Sequence, residues 1–369
     1  MREYLATMAI AGALCFFFTP YIRSLAMKMG AYMALRSRDI HQTITPRWGG
    51  LSMWLSMAIT LLIVKHLHLV GKAFSRELQG IFLAGTFILI LGLVDDRYEL
   101  DSATKFAGQG IAAGILLLHG VQILWLPING ILTLPSNIGA LITVIFVLVV
   151  TNAVNFVDGL DGLATGIVAI CAMAFFAFSY LLAVVDGFSR AGAPSLITAI
   201  MIGVCVGFLP HNYHPARIFM GDSGAMFLGL LLSAAAITLT GQIDTNAIVS
   251  QHAASYLPLL LPIMVLAIPL LDLGMAIVRR VKAGRSPFAS DSLHLHHRLL
   301  SMGHTHRRTS FILYTWTAIF AVPAVVAAFS PLWVALLTAL ILFSTVVALM
   351  LIPASVFTNL VPSKARTHA

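Results

Sequence analysis

The chain has 369 residues, of which 59% are hydrophobic and only 10% charged, with a mean hydropathy of +0.94 and a formal net charge of +8. Soluble domains carry about 25% charged residues, so this composition excludes a soluble globular protein and describes an all-α, polytopic integral membrane protein. Cys15, Cys171 and Cys205 all lie inside apolar segments, which excludes a disulfide framework or a cysteine-built metal centre and leaves buried, inert thiols.

A membrane-spanning helix needs about 20 mostly apolar residues. On that rule eleven spans are expected, centred on 4–24, 49–66, 78–95, 103–120, 137–157, 162–185, 194–211, 223–241, 255–278, 310–329 and 332–353. Residues 5–19 are followed by Pro20 and Arg23 and carry no small-residue cleavage site, so they read as a first span and not as a signal peptide. The fourth, with Lys105 and Gln109, is the least apolar.

Most Lys and Arg residues fall on one side: Arg23, Lys28, Arg36, Arg38 and Arg47, then Arg97, Lys105 and Arg217, then the run from Arg279 to Arg308, then Lys364 and Arg366. The positive-inside rule makes that side cytoplasmic, with the N-terminus outside and the C-terminus inside. The acids sort the same way: Asp39, Asp95, Asp96, Glu99, Asp101, Asp158, Asp161, Asp222 and Asp291 share that side, with Asp272 just inside the membrane near it. The cytoplasmic face is therefore the working face, and the expectation is one membrane domain, 1–369, with its site in loops 25–48, 95–105, 152–166, 211–223 and 279–309.

In chain order, residues 36–50 combine arginines and His41 with Gly49-Gly50, whose amides at a helix start favour anions. Next comes Asp95-Asp96-Arg97, with Lys105 beyond it; adjacent carboxylates on a helix point about 100° apart, so one can face a site while the other pairs with Arg97 or Lys105. The central stretch, 152–166, holds Asn152, Asn155, Asp158 and Asp161 at a three-residue spacing that shares a helix face, with Gly159, Gly162 and Gly166 permitting close approach of a backbone or ligand. Carboxylates at the end of an apolar span are costly and mark function. The fourth stretch, His211 to Gly224, sets Asp222 between glycines just before a helix, where dipole and free amides favour phosphate; the setting points to a metal or phosphate role over a simple capping Asp. The fifth, Arg279 to Arg308, contains Gly284-Arg285-Ser286-Pro287-Phe288 and Asp291-Ser292-Leu293-His294-Leu295-His296-His297-Arg298. Amid arginines and without a nearby cysteine, these histidines suit phosphate better than zinc.

Oxygen ligands suited to Mg²⁺ beside a surplus of Arg and His make the inventory of phosphoryl transfer. No Gly-x4-Gly-Lys-Ser/Thr loop is present, and a site at the membrane face implies a lipid substrate. An ion-coupled transporter built on Asp272 and the Asn/Asp stripe is the alternative from another class; it would place its acids near the midplane, whereas here they gather at one face.

The ordered set His41…Pro46…Gly49-Gly50, Asp95-Asp96, Asn152-x-x-Asn155-x-x-Asp158-Gly-x-Asp161-Gly-Leu, Phe219-Met220-Gly221-Asp222-Ser223-Gly224 and His294-x-His296-His297 resembles the polyprenyl-phosphate N-acetylhexosamine-1-phosphate transferases. The Arg285-Ser286-Pro287-Phe288…Asp291…His297 segment is similar to the GlcNAc-1-phosphate (WecA/TagO-like) branch, and Arg298 to Arg308 to actinobacterial members that use decaprenyl phosphate. The resemblance implies transfer of GlcNAc-1-phosphate from UDP-GlcNAc to undecaprenyl or decaprenyl phosphate, with release of UMP, in the bacterial cytoplasmic membrane. Phospho-MurNAc-pentapeptide transfer is the alternative within the same chemistry. It further implies Mg²⁺, with Mn²⁺ as a substitute, held by Asp222 and Asn155. Asp95 and Asp96 would serve the lipid phosphate, and Asp158 and Asp161 would organise metal and nucleotide-sugar. Lys105, Asn152, His294, His296, His297 and Arg298 would bind substrate. No nucleic acid is implied, and a homodimer is left open. Direct attack and a two-step route through a phospho-enzyme both fit. Glu99 stands where the family often has Asp, so Glu99 and Asp101 are left outside the site.

Overall fold

The computed structural model describes residues 1–32, 45–126, 132–182, 192–241, 257–284 and 294–351. Arg36, Arg38, Asp39, His41, the run from Arg285 to Phe288, Asp291, Lys364 and Arg366 lie outside them. The described residues are overwhelmingly helical, as a bilayer demands of a chain that must satisfy its backbone polar groups within each segment. The helices are α1 (Arg2–Lys28), α2 (Gly49–Val64), α3 (Arg76–Tyr98), α4 (Ser102–Leu118), α5 (Ser136–Val157), α6 (Leu163–Tyr180) and α7 (Gly192–Asn212). They continue with α8 (Gly221–Gly241), α9 (Leu257–Val265), α10 (Ala267–Lys282), α11 (Leu295–Ser301), α12 (His306–Phe329) and α13 (Leu332–Leu351). A two-residue antiparallel pair, β1 (Trp125–Leu126) with β2 (Leu132–Thr133), joins α4 to α5.

Eight of these helices, α1, α3, α5, α6, α7, α8, α12 and α13, are long and apolar enough to cross a membrane, and α2 is a shorter apolar helix. The protein is thus an all-α polytopic membrane protein. The stretch 255–278, expected as one span, is instead two helices that break at Leu266. Pro269 supplies the reason. It has no amide to donate to the carbonyl four residues back, and its ring crowds that carbonyl. The freed Val265 carbonyl accepts from Cys171 Sγ at 3.1 Å, which gives that buried thiol a structural role; all three cysteines are free and buried.

Helix α8 is the centre of the bundle. Of its membrane-length window 94% is buried, against 11% for α13 at the periphery. It packs against α2, α3, α5, α6, α7 and α9. The second tight contact is the crossing of α1 with α7, where Gly12 faces Gly203 and Gly207. A Cβ on Gly207 would run into the Gly12 carbonyl oxygen, so the two backbones are in direct contact, as small residues allow between membrane helices. Gly207→Val is expected to force α1 from α7 and cost about 1–3 kcal/mol, read as a lowered melting temperature of the detergent-solubilised protein; an unchanged melt would mean the crossing is not rigid.

Candidate active site

The C-terminal ends of α3 and α5 and the N-terminal ends of α4 and α8 meet at one end of the bundle, and their polar residues meet with them. Lys105, in the first turn of α4, reaches both carboxylates across the cluster: its Nζ lies 2.5 Å from Asp95 Oδ2 and 2.7 Å from Asp222 Oδ2. Asp95 Oδ1 also accepts from the Leu100 amide at 2.8 Å, fixing the turn into α4. Of the two expected partners, Lys105 takes Asp95, while Arg97 turns away to donate to the Met29 carbonyl at 3.0 Å. Asp101 is the N-cap of α4, accepting from the Thr104 amide at 2.9 Å.

Asp96 does something else. Its Oδ1 accepts from the Asp222 amide at 2.8 Å and its Oδ2 from the Ser223 amide at 3.2 Å. The first amides of a helix lack intrahelical partners, and here a carboxylate from α3 fills the anion position at the start of α8. That position is therefore taken by the protein itself, which corrects the expectation of a free phosphate-binding helix end. Asp222, the next residue, is aimed by this cap.

Gly49 and Gly50 likewise do not offer their amides to an anion. The Gly49 amide donates to the Phe219 carbonyl at 3.1 Å and that of Gly50 to Met220 at 3.0 Å. A Cβ on Gly50 would strike the Gly224 backbone, and one on Gly92 of α3 would strike Ser223. These glycines let α2 and α3 close on the first turn of α8.

The Asn/Asp stripe is not one helical face. Helix α5 ends at Val157, Asp158 is its C-cap, and Asp161 lies in the turn that Gly162 closes with φ +73°. Asn152 donates to Gln109 Oε1 at 2.6 Å and to the Leu148 carbonyl at 2.8 Å. Asn155 is half-buried one turn nearer the helix end. Asp158 is half-buried too. Burial, then the charges of Asp222 and Asp96, push its carboxyl up to about 7, with Arg47 opposing. Asp158 therefore belongs electrostatically to the Asp95–Asp96–Asp222 cluster. Asp161 points elsewhere: buried, its Oδ2 holds His214 Nδ1 at 2.8 Å and the Ala216 amide at 3.0 Å. It ties the turn to the loop entering α8.

The histidine segment docks on the same turn. His296 is buried against Gly159, where any Cβ would collide with its ring, and its Nε2 has no hydrogen-bond partner among the described residues. Burial, then the neighbouring His297 and His294, push its imidazole down to about 3, so it is neutral. His294 stacks on Phe156 at 5.4 Å and lies parallel to His296 at 5.7 Å; the His296 and His297 rings are 4.3 Å apart. Gly166 makes room for Tyr314, whose hydroxyl donates to the Gly162 carbonyl at 2.6 Å. The glycines of the central stretch thus accommodate side chains of this protein. Arg298 is exposed on α11.

The structure thus joins Asp95, Asp96, Lys105 and Asp222 by direct contact, sets Asp158 within their field, and brings His294 and His296 to the adjoining turn. Two residues escaped the site reading. Arg47 acts on the charges of both Asp158 and Asp222; its signal was a cation directly before Trp48-Gly49-Gly50. Phe156 carries the histidine stack, and an aromatic inside the Asn155–Asp158 interval was the signal for it.

The model of the family described as glycosyl transferase family 4 matches residues 78–240, from α3 to α8. The chain is 40% identical over 329 residues to a decaprenyl-phosphate N-acetylglucosaminephosphotransferase of Mycolicibacterium smegmatis, covering 87% of this chain and 81% of the relative. It is 30% identical over 338 residues to a probable undecaprenyl-phosphate N-acetylglucosaminyl 1-phosphate transferase of Bacillus subtilis, covering 89% and 87%. A phospho-N-acetylmuramoyl-pentapeptide-transferase of Desulforudis audaxviator is 30% identical over 304 residues, covering 76% and 83%. The identity over most of both chains, the matched interval and the ordered motifs agree: the chain belongs to glycosyl transferase family 4, on the branch of the polyprenyl-phosphate N-acetylglucosaminephosphotransferases.

Proposed function

We propose that the protein transfers GlcNAc-1-phosphate from UDP-GlcNAc to a polyprenyl phosphate, giving polyprenyl-diphospho-GlcNAc and UMP. The observation that carries this reading is the Lys105 bridge between Asp95 and Asp222, beside the Asp96 cap, at one end of a bundle of apolar helices. The same reading takes all eleven apolar segments as spans, puts this end in the cytoplasm of a bacterial inner membrane, and treats the chain as one transferase domain.

In the reaction an oxygen of the lipid phosphate bonds to the sugar-linked phosphorus, and the bond from that phosphorus to the bridging oxygen breaks, leaving UMP. The attacking phosphate has a second pKa near 6, so Asp95 need not remove a proton. Its role is to hold Lys105, whose ammonium can take a phosphate oxygen as its third partner. Asp96 keeps the start of α8 in place, and Asp161 keeps the loop before it. The neutral His296 and the adjoining His294 offer ring nitrogens to the donor's diphosphate.

The donor set suits Mg²⁺: it is oxygen only, with Asp222 foremost and Asn155 second. Asp158, Asp96 and Asp222 crowd negative charge that a cation relieves. Among the described residues no three acidic, histidine or cysteine groups form a ready cage, which fits an ion that takes one or two carboxylates and completes its shell with phosphates and water. Bound there, Mg²⁺ would neutralise diphosphate charge.

The test is UMP release by purified protein given UDP-GlcNAc, with and without decaprenyl or undecaprenyl phosphate, and with Mg²⁺ or EDTA. Release is expected only when lipid and metal are both present, and EDTA is expected to lower it by at least a hundredfold, with Mn²⁺ restoring part. Release from UDP-MurNAc-pentapeptide in place of UDP-GlcNAc would move the protein to the other donor. Release over many turnovers without any lipid would overturn the reading.

A further inference from the structure

Asp272 is the buried carboxylate that the proposed reaction leaves unused. It sits in α10 at 2% exposure, an expensive place for a charge within a membrane protein. Both of its oxygens are engaged by one short segment: Oδ2 faces His294 Nδ1 at 3.0 Å, and Oδ1 accepts from the Leu295 amide at 2.9 Å. An ionised carboxylate can only accept, so the His294 proton must sit on Nδ1, and Nε2 becomes the nitrogen left for other partners. The same ring is stacked on Phe156, and Phe156 lies between Asn155 and Asp158 in sequence. The Arg280 guanidinium, two turns beyond Asp272 on α10, lies 5.1 Å from the Phe156 centroid. Helix α10 therefore grips the histidine segment and the Asn/Asp turn together.

We propose that Asp272 is a positioning residue for the transfer reaction: through His294 Nδ1 and the Leu295 amide it fixes the tautomer and orientation of His294, presenting Nε2 to the diphosphate of the nucleotide-sugar donor. This rests on the function proposed above. Carboxylate partners of functional imidazoles set which nitrogen works and how basic it is. The contact also accounts for the intramembrane acid without ion transport, because both of its oxygens are satisfied inside the protein.

The test uses the full chain in detergent with Asp272→Asn, Asp272→Glu, His294→Gln and the Asp272→Asn/His294→Gln double variant. Asn keeps the size but puts an NH2 donor where one of the two carboxylate oxygens stood, so it cannot meet His294 Nδ1–H and the Leu295 amide as Oδ2 and Oδ1 do. Asp272→Asn is expected to raise the KM for UDP-GlcNAc at least tenfold, with the KM for polyprenyl phosphate unchanged within twofold. Asp272→Glu, which retains the carboxylate, should recover part of that loss. The double variant should be no worse than His294→Gln alone, because residues that act as one unit are non-additive. Losses that multiply, or a loss confined to the yield of folded protein with normal kinetics for the remainder, would overturn the proposal.

A second readout does not depend on the donor. In protein labelled with 15N-histidine, His294 should show Nδ1 protonated in the wild type and a mixture of tautomers in Asp272→Asn. A wild-type His294 protonated on Nε2 alone would overturn the positioning role. A wild-type protein inactive with UDP-GlcNAc but showing the Nδ1 tautomer would instead overturn the donor assignment.

Discussion

Asp222→Asn is expected to fold normally and to lose about a thousandfold in UMP release, a difference of about 4 kcal/mol in transition-state free energy. Asn keeps the shape of the side chain and an oxygen for Lys105 Nζ, now 2.7 Å from Asp222 Oδ2. It removes the charge that the proposed metal site puts foremost. The Asp95–Lys105 pair survives, and Asp158 loses one of the three negative neighbours that help to raise it, so stability should be unchanged or slightly higher. Lys105→Met makes the informative contrast. It strands Asp95, whose side chain is 2% exposed, without its cation. Breaking a fully buried pair costs about 3–5 kcal/mol; Lys105 itself is 26% exposed, so about 1–3 kcal/mol is the reasonable expectation. Both variants should be inactive, but only Lys105→Met should melt early. A fully active Asp222→Asn would remove Asp222 from the metal, and an equal loss of stability in both would make Asp222 a structural ion-pair partner.

The contrast turns on pairings that the chain order does not reveal. Composition and hydropathy place helices, and the motif residues stand out because charge is costly in apolar segments. Asp95 and Lys105 lie ten residues apart on a tight α3–α4 connection, so their pairing was among the options the sequence offered. Asp96 instead caps a helix that begins 125 residues later, a long-range contact that local spacing cannot express. The three-residue spacing from Asn152 to Asp161 suggested a continuous face, yet the helix ends at Val157 and Gly162 already caps the next one, so the acids beyond Val157 diverge: Asp158 towards the cluster, Asp161 towards His214. Gly49-Gly50 was ambiguous for a physical reason, since glycine permits close approach of either a ligand or another backbone. Here Gly50 is approached by the backbone of Ser223 and Gly224, and Gly49 by the Phe208 ring and the Phe219 carbonyl. The break at Leu266 was written in Pro269, but proline's effect on a membrane helix depends on whether a neighbour can take the freed carbonyl, and Cys171 lies almost a hundred residues away.

Gly221→Ala should be a damaging single-methyl change at the site. Gly221 has φ +73°, where an L-residue with a Cβ is disfavoured by about 1–2 kcal/mol. The added methyl would also lie 2.5 Å from Asp96 Oδ2 and 2.7 Å from Oδ1, well inside contact distance. Asp96 would have to withdraw, leaving the Asp222 and Ser223 amides unpaired at a buried helix start, and an unsatisfied buried donor costs about 1–3 kcal/mol. Since the two effects share one displacement, about 2–4 kcal/mol is expected in total, with at least a hundredfold loss of UMP release because Asp222 is the next residue. Gly114→Ala is the matched control. It lies within α4, where an added Cβ meets nothing within 4 Å, so it should leave activity intact and raise stability by about 0.5–1 kcal/mol through helix propensity. Melting temperature and UMP release measured on the two variants together separate the cost of a methyl group from the cost of moving Asp96. A Gly221→Ala protein with wild-type melting and turnover would mean that the Asp96 cap does not aim Asp222.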